Sequence, residues 1–297
     1  MSSSGKYGPP PAFKHFKDDA RRSWVVTLRN AVAPILDNNI LTHFTDHSVF
    51  HSDNLVNIVS ELIEPLQAGG YGLNDQELTI LYSACYLHDI GMHNERAGDT
   101  TVMQKAIADH IGMRNERAGD TTVMQKAIAD HEYGQEWKDL QPQMQAELIR
   151  KYHHCVAAEM IERSVRTDEP MVGIQLILEC DPGRTAEICK AHCTEFGSEG
   201  YNELTKDGPE IRMSLLAGLL RVADILDETR PRAERAKARV LNLGLESKVH
   251  WWRHYYTEGV TFEEGKIKLW FDFPPDRLDE YSKIIPEMQK PLIEVEL

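Results

Sequence analysis

The sequence predicts a mainly α protein: a helical bundle over residues 21–240, followed over 241–297 by a small β-hairpin and a closing helix. Two observations carry this expectation. Apolar residues recur at three- and four-residue spacing in SWVVTLRNAVAPIL, NLVNIVSELIEPL and LTILYSACYL, the period of a buried helix face. Aromatic and β-branched residues instead crowd VHWWRHYYTEGV and KIKLWFDF, and the EEG between them suits a turn.

Taken in order, the first 20 residues include MSSSGKYGPPPAFK, polar and Pro-rich with no apolar core, and read as a flexible leader. Asn74 or Asp75 would cap the LTILYSACYL helix, with Glu77 in its first turn and a stop near Gly91. Further helices are expected over 142–165, 183–194 and 209–228, and DRLDEYSKIIPEMQ reads as the closing one. One feature interrupts the order. Residues 90–110 and 111–131 are near-identical, differing only at His93 and Arg114. Solenoid repeats diverge and number three or more, so this reads as a recent tandem duplication or an error in the recorded gene.

Charge and cysteine content narrow the function classes. A net charge of -14 repels polyanions at long range and disfavours a non-specific nucleic-acid or anionic-membrane binder. No apolar run approaches the ~18 residues of a membrane span. Cys85, Cys155, Cys180, Cys189 and Cys193 are odd in number in a long chain, and read as reduced thiols in the cytoplasm.

The chemistry begins at ACYLHDIGM, where His88 and Asp89 are adjacent near a helix end. An imidazole nitrogen beside a carboxylate oxygen suits Mn, Fe, Co, Ni or Zn. Neighbours inside a helix point about 100° apart, so the pair can act together only at a terminus or across two ions. Upstream, His47 and His51 fall at i and i+4, one face of a helix. Downstream, Asp224 and Asp227 interrupt the apolar helix LLAGLLRVADILDETRPR, and a carboxylate there needs a cation. Pairing along the helix with Arg221 or Arg230 would satisfy Asp227 better than Asp224. His153, His154 and His192 add further imidazoles, with helix-surface histidines as the plainer reading. Cys189, His192 and Cys193 resemble a zinc cluster but lack a fourth ligand. The arginines of TRPRAERAKAR read as a solvated face, with Arg230 or Arg232 as candidate phosphate ligands.

In this order, His51, His88–Asp89 and Asp224 resemble the signature of the HD superfamily of metal-dependent phosphohydrolases, over about residues 43–232. HSDNL has the form of the first motif, and RVADILD that of the last. The layout is most similar to HD domains associated with bacterial conflict and defence. The Gly-Tyr-Pro signature of cyclic-di-GMP phosphodiesterases is absent, and Ile225 stands where some branches carry Lys. The resemblance implies an HD-type helical bundle binding one or two divalent transition metals. His51, His88, Asp89 and Asp224 would hold one ion, and Asp89 would bridge to a second on His153 and His192. It implies hydrolysis of a phosphomonoester or phosphodiester, a nucleotide or related small ester, by a metal-activated hydroxide. Asp89 would be central to catalysis, with His47 or His154 moving a proton and Arg230 and Arg232 binding substrate. A non-catalytic nucleotide-binding or interaction module on the same scaffold, or a nuclease effector, stay open as alternatives.

Overall fold

The computed structural model describes residues 7–37, 47–92, 142–166, 181–227, 245–263 and 266–273, with a few isolated positions beyond. It is mainly helical, with a two-stranded antiparallel hairpin following the helices, as the sequence predicts. The chain divides into two compact units that interleave along the sequence. The doublet unit comprises Phe16–Ile40 and Asn74–Gly218; the hairpin unit comprises Met1–His15, Leu41–Leu73 and Leu219–Leu297.

The doublet unit is organised around α3 (Asp75–Leu87), in which every side chain from Glu77 to Leu87 is buried. A helix apolar on all sides must be enclosed, and α3 packs against α1 (Asp19–Leu36) and α5 (Pro182–Ala191). Asp18 caps α1 by accepting from the Ala20 and Arg21 amides, and Val25, Leu28, Val32 and Leu36 form its buried stripe. α4 (Pro142–Arg166) packs on α5 and on a 3-10 turn at Ile90–Met92. α5 starts from Asp181, held in the left-handed region at φ 57°, with Pro182 opening the helix. A short α6 (Glu199–Leu204) follows, and the unit boundary falls within α7 (Met213–Leu226).

The start of α3 is a capping box. Asn74 accepts from the Gln76 and Glu77 amides, and the Glu77 carboxylate accepts from the Asn74 amide. Glu77 has a second task. Its side chain is 1% exposed and receives the Arg212 guanidinium at 2.7 and 2.9 Å and the Arg212 amide at 3.0 Å. Burial alone would raise this carboxyl, but the bonds from Arg212 and Asn74 outweigh it, and Glu77 lies below its ordinary value.

In the hairpin unit, α2 (Val49–Ala68) is capped by Ser48. α8 (Leu245–Tyr256) leads directly into β1 (Thr257–Glu263), which pairs with β2 (Lys266–Phe271). The hairpin was expected to include VHWWRHYY, but those residues lie in α8. Trp251 and Tyr255 are one helical turn apart and stack at 4.8 Å with 13° between their planes. This i, i+4 aromatic contact overrides the strand preference of the individual residues. Within the stretch read as a leader, Phe13 is buried and the His15 ring bonds the Ser60 carbonyl.

α3 also stops earlier than expected, at Leu87, with His88 as its C-cap. Gly91 is required for close approach rather than for ending the helix. A Cβ there would lie 2.4 Å from the His153 carbonyl oxygen and 3.0 Å from the Ala157 nitrogen, both backbone atoms of α4. Of the expected closing helix only Ser282, Ile285 and Pro286 are described, all three helical; Glu264, Gly265, Cys180 and all of the repeat beyond Met92 lie outside the described residues.

Glu77→Ala removes the partner of the partly exposed Arg212 and half of the α3 capping box, and should cost about 1–3 kcal/mol in urea denaturation. Because the folded-state value of Glu77 is depressed, its contribution is present above the unfolded value of 4.5. It is lost as pH falls through the lower folded value, so wild type and variant should converge in stability under acid. Gly91→Ala should destabilise by about 1–3 kcal/mol through overpacking. Gly200→Ala in α6, where an added Cβ meets nothing within 4 Å, should stabilise by about 0.4–1 kcal/mol in the same assay.

Candidate metal centre

The end of α3 delivers His88 and Asp89 into the interior of the doublet unit, where His88 is fully buried and Asp89 4% exposed. The 3-10 turn that follows rests against α4 through Gly91, which sets Asp89 beside His153. Asp89 Oδ1 lies 3.2 Å from His153 Nε2, and Asp89 Oδ2 lies 3.1 Å from His88 Nε2. From the end of α5, His192 places its Nε2 3.2 Å from His153 Nε2. The rings of His88 and His192 meet edge to face at 5.0 Å.

The tautomers follow from the other side of each ring. His88 Nδ1 bonds the Cys85 carbonyl at 3.1 Å, and His153 Nδ1 bonds the Arg150 carbonyl at 2.6 Å. His192 Nδ1 bonds the Cys189 carbonyl. A carbonyl only accepts, so each Nδ1 carries the proton and, in a neutral ring, each Nε2 presents a lone pair. Two such lone pairs 3.2 Å apart repel unless a proton or a metal cation lies between them. Fixing the outer nitrogen on a carbonyl is also how proteins orient metal-ligating histidines. The donor set therefore fits a transition metal: His88, Asp89 and His192 each offer an atom within 4.8 Å of the others, and so do His153, His192 and Cys193.

The electrostatics agree with a group that attracts positive charge. Burial opposes a charged His153, but the Cys193 and Asp89 anions beside it raise it well above an ordinary imidazole. Burial also pushes the Cys193 thiol up, and the His192 and His153 rings bring it down to about 6.

The hairpin unit contains a second oriented set. His51, on the first turn of α2, donates from Nδ1 to the fully buried Asp227 carboxylate at 2.6 Å. Its Nε2 faces Asp224 Oδ1 at 3.4 Å. Asn54, nearly one turn along α2, donates to the other Asp227 oxygen at 3.2 Å. The plainer reading paired Asp227 along its own helix with Arg221 or Arg230, and Arg230 lies outside the described residues. The Asp227 carboxylate meets His51 and Asn54, both on α2.

Comparison with known proteins now decides the family. The HD-CE family model matches residues 41–282, most of the chain. The protein belongs to the HD-CE family. No curated protein and no solved structure matches it.

Within their own units, the structure brings His88 and Asp89 together with His153 and His192, and His51 together with Asp224. His47 does not lie on the His51 helix. Ser48 caps α2, so His47 precedes it, and its ring meets His51 edge-on at 5.6 Å. His154 is buried with its ring 6.1 Å from that of His192, outside the ligand groups found. Arg230 and Arg232 lie outside the described residues. The zinc-cluster reading of Cys189 fails, because its Sγ points to the Ala84 carbonyl at 3.9 Å. Sequence reasoning missed Asp227 as the partner of His51, though its i, i+3 spacing from Asp224 in DILD was visible. Cys193 was weighed with Cys189 and His192 and set aside for want of a fourth ligand; the structure places it beside His192 and His153.

Proposed function

We propose that this HD-CE protein is a metal-dependent phosphohydrolase that cleaves a phosphomonoester or phosphodiester of a nucleotide or related small molecule. The observation that carries this reading is the convergence of the His153 and His192 lone pairs beside Asp89, with each outer nitrogen held on a backbone carbonyl. His88, Asp89, His153 and His192 would hold one or two divalent ions, of Mn, Fe, Co, Ni or Zn. His51 and Asp224 enter the same set on the order of the motif along the chain. When bound, a divalent ion lowers the pKa of water toward neutrality and offsets charge developing on phosphoryl oxygens.

The chain's own residues supply the rest. Asp89 turns one oxygen to His153 and the other to His88, as a carboxylate shared between two ions would. The buried Asp227 carboxylate fixes the His51 ring and raises its basicity as a ligand. His47 and His154 are the residues proposed to move a proton to the leaving group. Arg230 and Arg232 are proposed to bind the phosphate on their position in the sequence alone. The net charge of -14 favours a small ester over a long polyanion. Among the described residues no helix is long and apolar enough to cross a membrane, and we place the activity in the cytoplasm.

Elemental mass spectrometry of the purified full chain tests this, followed by hydrolysis of p-nitrophenyl phosphate and bis(p-nitrophenyl) phosphate. Wild type should carry one or two transition-metal equivalents, and Asp89→Ala should lose the metal and more than about 100-fold in turnover. Absence of metal from wild type after reconstitution with Mn or Fe would overturn the reading. Metal without hydrolysis of any ester would make the chain a binding module. Asp227→Asn keeps a hydrogen bond to His51 but removes the charge, and should weaken metal affinity by about 10–100-fold with folding intact. Unchanged affinity would take His51 out of the ligand set.

A further inference from the structure

The turn that ends α5 places Cys193 where the sequence alone would not put it. α5 stops at Ala191, His192 caps it, and the Thr194 amide bonds back to the Ala191 carbonyl at 3.2 Å. Consecutive side chains inside a helix diverge by about 100°. Here the chain leaves the helix between His192 and Cys193, and both reach the same ring. Cys193 Sγ lies 3.7 Å from His153 Nε2, and His192 Nε2 lies 3.2 Å from the same atom.

These separations can be compared with a tetrahedron. With metal–nitrogen distances of ~2.05 Å and a metal–sulfur distance of ~2.3 Å, the nitrogen–nitrogen edge is ~3.3 Å and the nitrogen–sulfur edge ~3.6 Å. Both observed separations fall within ~0.2 Å of those edges. Cys85, Cys155 and Cys189 are buried, whereas Cys193 is exposed as a residue and turns its thiol in against the His153 ring.

We propose that Cys193 is a thiolate ligand, through Sγ, of the ion held by His153 and His192, making this a mixed imidazole–thiolate site suited to zinc or cobalt. The inference rests on the metal reading above and adds a ligand and a metal preference to it. The thiol releases its proton to solvent as the sulfur–metal bond forms. A soft sulfur donor shifts selectivity away from manganese and magnesium and toward zinc.

The test loads the full chain with Co(II) and records its absorption spectrum. Wild type should show a near-ultraviolet thiolate-to-cobalt charge-transfer band. Cys193→Ser should still bind cobalt but lose that band, with affinity weaker by at least about tenfold. Cys189→Ser, whose sulfur faces a carbonyl away from the rings, should keep the band. In competition between zinc and manganese, the wild-type preference for zinc should fall in Cys193→Ser. Cobalt bound by wild type without the band, or a band that persists in Cys193→Ser, would overturn the thiolate ligand and leave the metal centre standing. No cobalt bound by wild type would overturn both.

Discussion

The contact on which the doublet unit's site depends is between the 3-10 turn and the backbone of α4. Gly91 sits so close to the His153 carbonyl and the Ala157 nitrogen that no side chain fits between them. That approach sets Asp89 within 3.2 Å of His153. A Cβ at Gly91 would also lie 2.9 Å from the Val156 Cβ, so the turn meets α4 along its His153–Ala157 segment.

The histidines are held by two different devices. In the doublet unit, His88, His153 and His192 each anchor Nδ1 on the carbonyl three residues earlier, so the local backbone sets the ring. In the hairpin unit, His51 is anchored by a carboxylate distant in sequence, Asp227. A carbonyl fixes the tautomer and orientation with a neutral dipole. A carboxylate does both and also pushes electron density toward the ring. Asn54 donates to the second Asp227 oxygen at 3.2 Å.

The helices were legible because their apolar periodicity is long and consistent, and the His88–Asp89 doublet was legible because its position at the end of the LTILYSACYL helix is local. What escaped the sequence was set by contacts over long separations or by termini shifted a few residues. His47 was placed on the helix of His51 because i, i+4 spacing fits a helix, but Ser48 competes for the N-cap and starts the helix after it. The Asn54 and His51 partners of Asp227 lie 173 and 176 residues away, beyond any local pattern. The strand expected over Val249–Tyr256 failed because β preference describes single residues, whereas Trp251 and Tyr255 gain a stacked contact only in a helix. Cys193 was set aside with Cys189 and His192 for want of a fourth ligand, and its neighbours His192 and His153 come together only when α5 packs on α4.

Charge bears on the class of ester. On the reading proposed above, the neutral His153 and His192 imidazoles and the Asp89 carboxylate around one divalent ion would leave a net charge of about +1. With Cys193 also bound as thiolate, as proposed, the sum falls to about zero. A centre with +1 attracts a dianionic phosphomonoester strongly, whereas a neutral one loses most of that attraction. It also polarises water less, because the sulfur donates more electron density than an imidazole does. On that reading the thiolate disfavours phosphomonoesters more than diesters, whose single charge depends less on the ion for binding. A preference for diesters in wild type that narrows in Cys193→Ser would therefore connect the ligand set to the substrate.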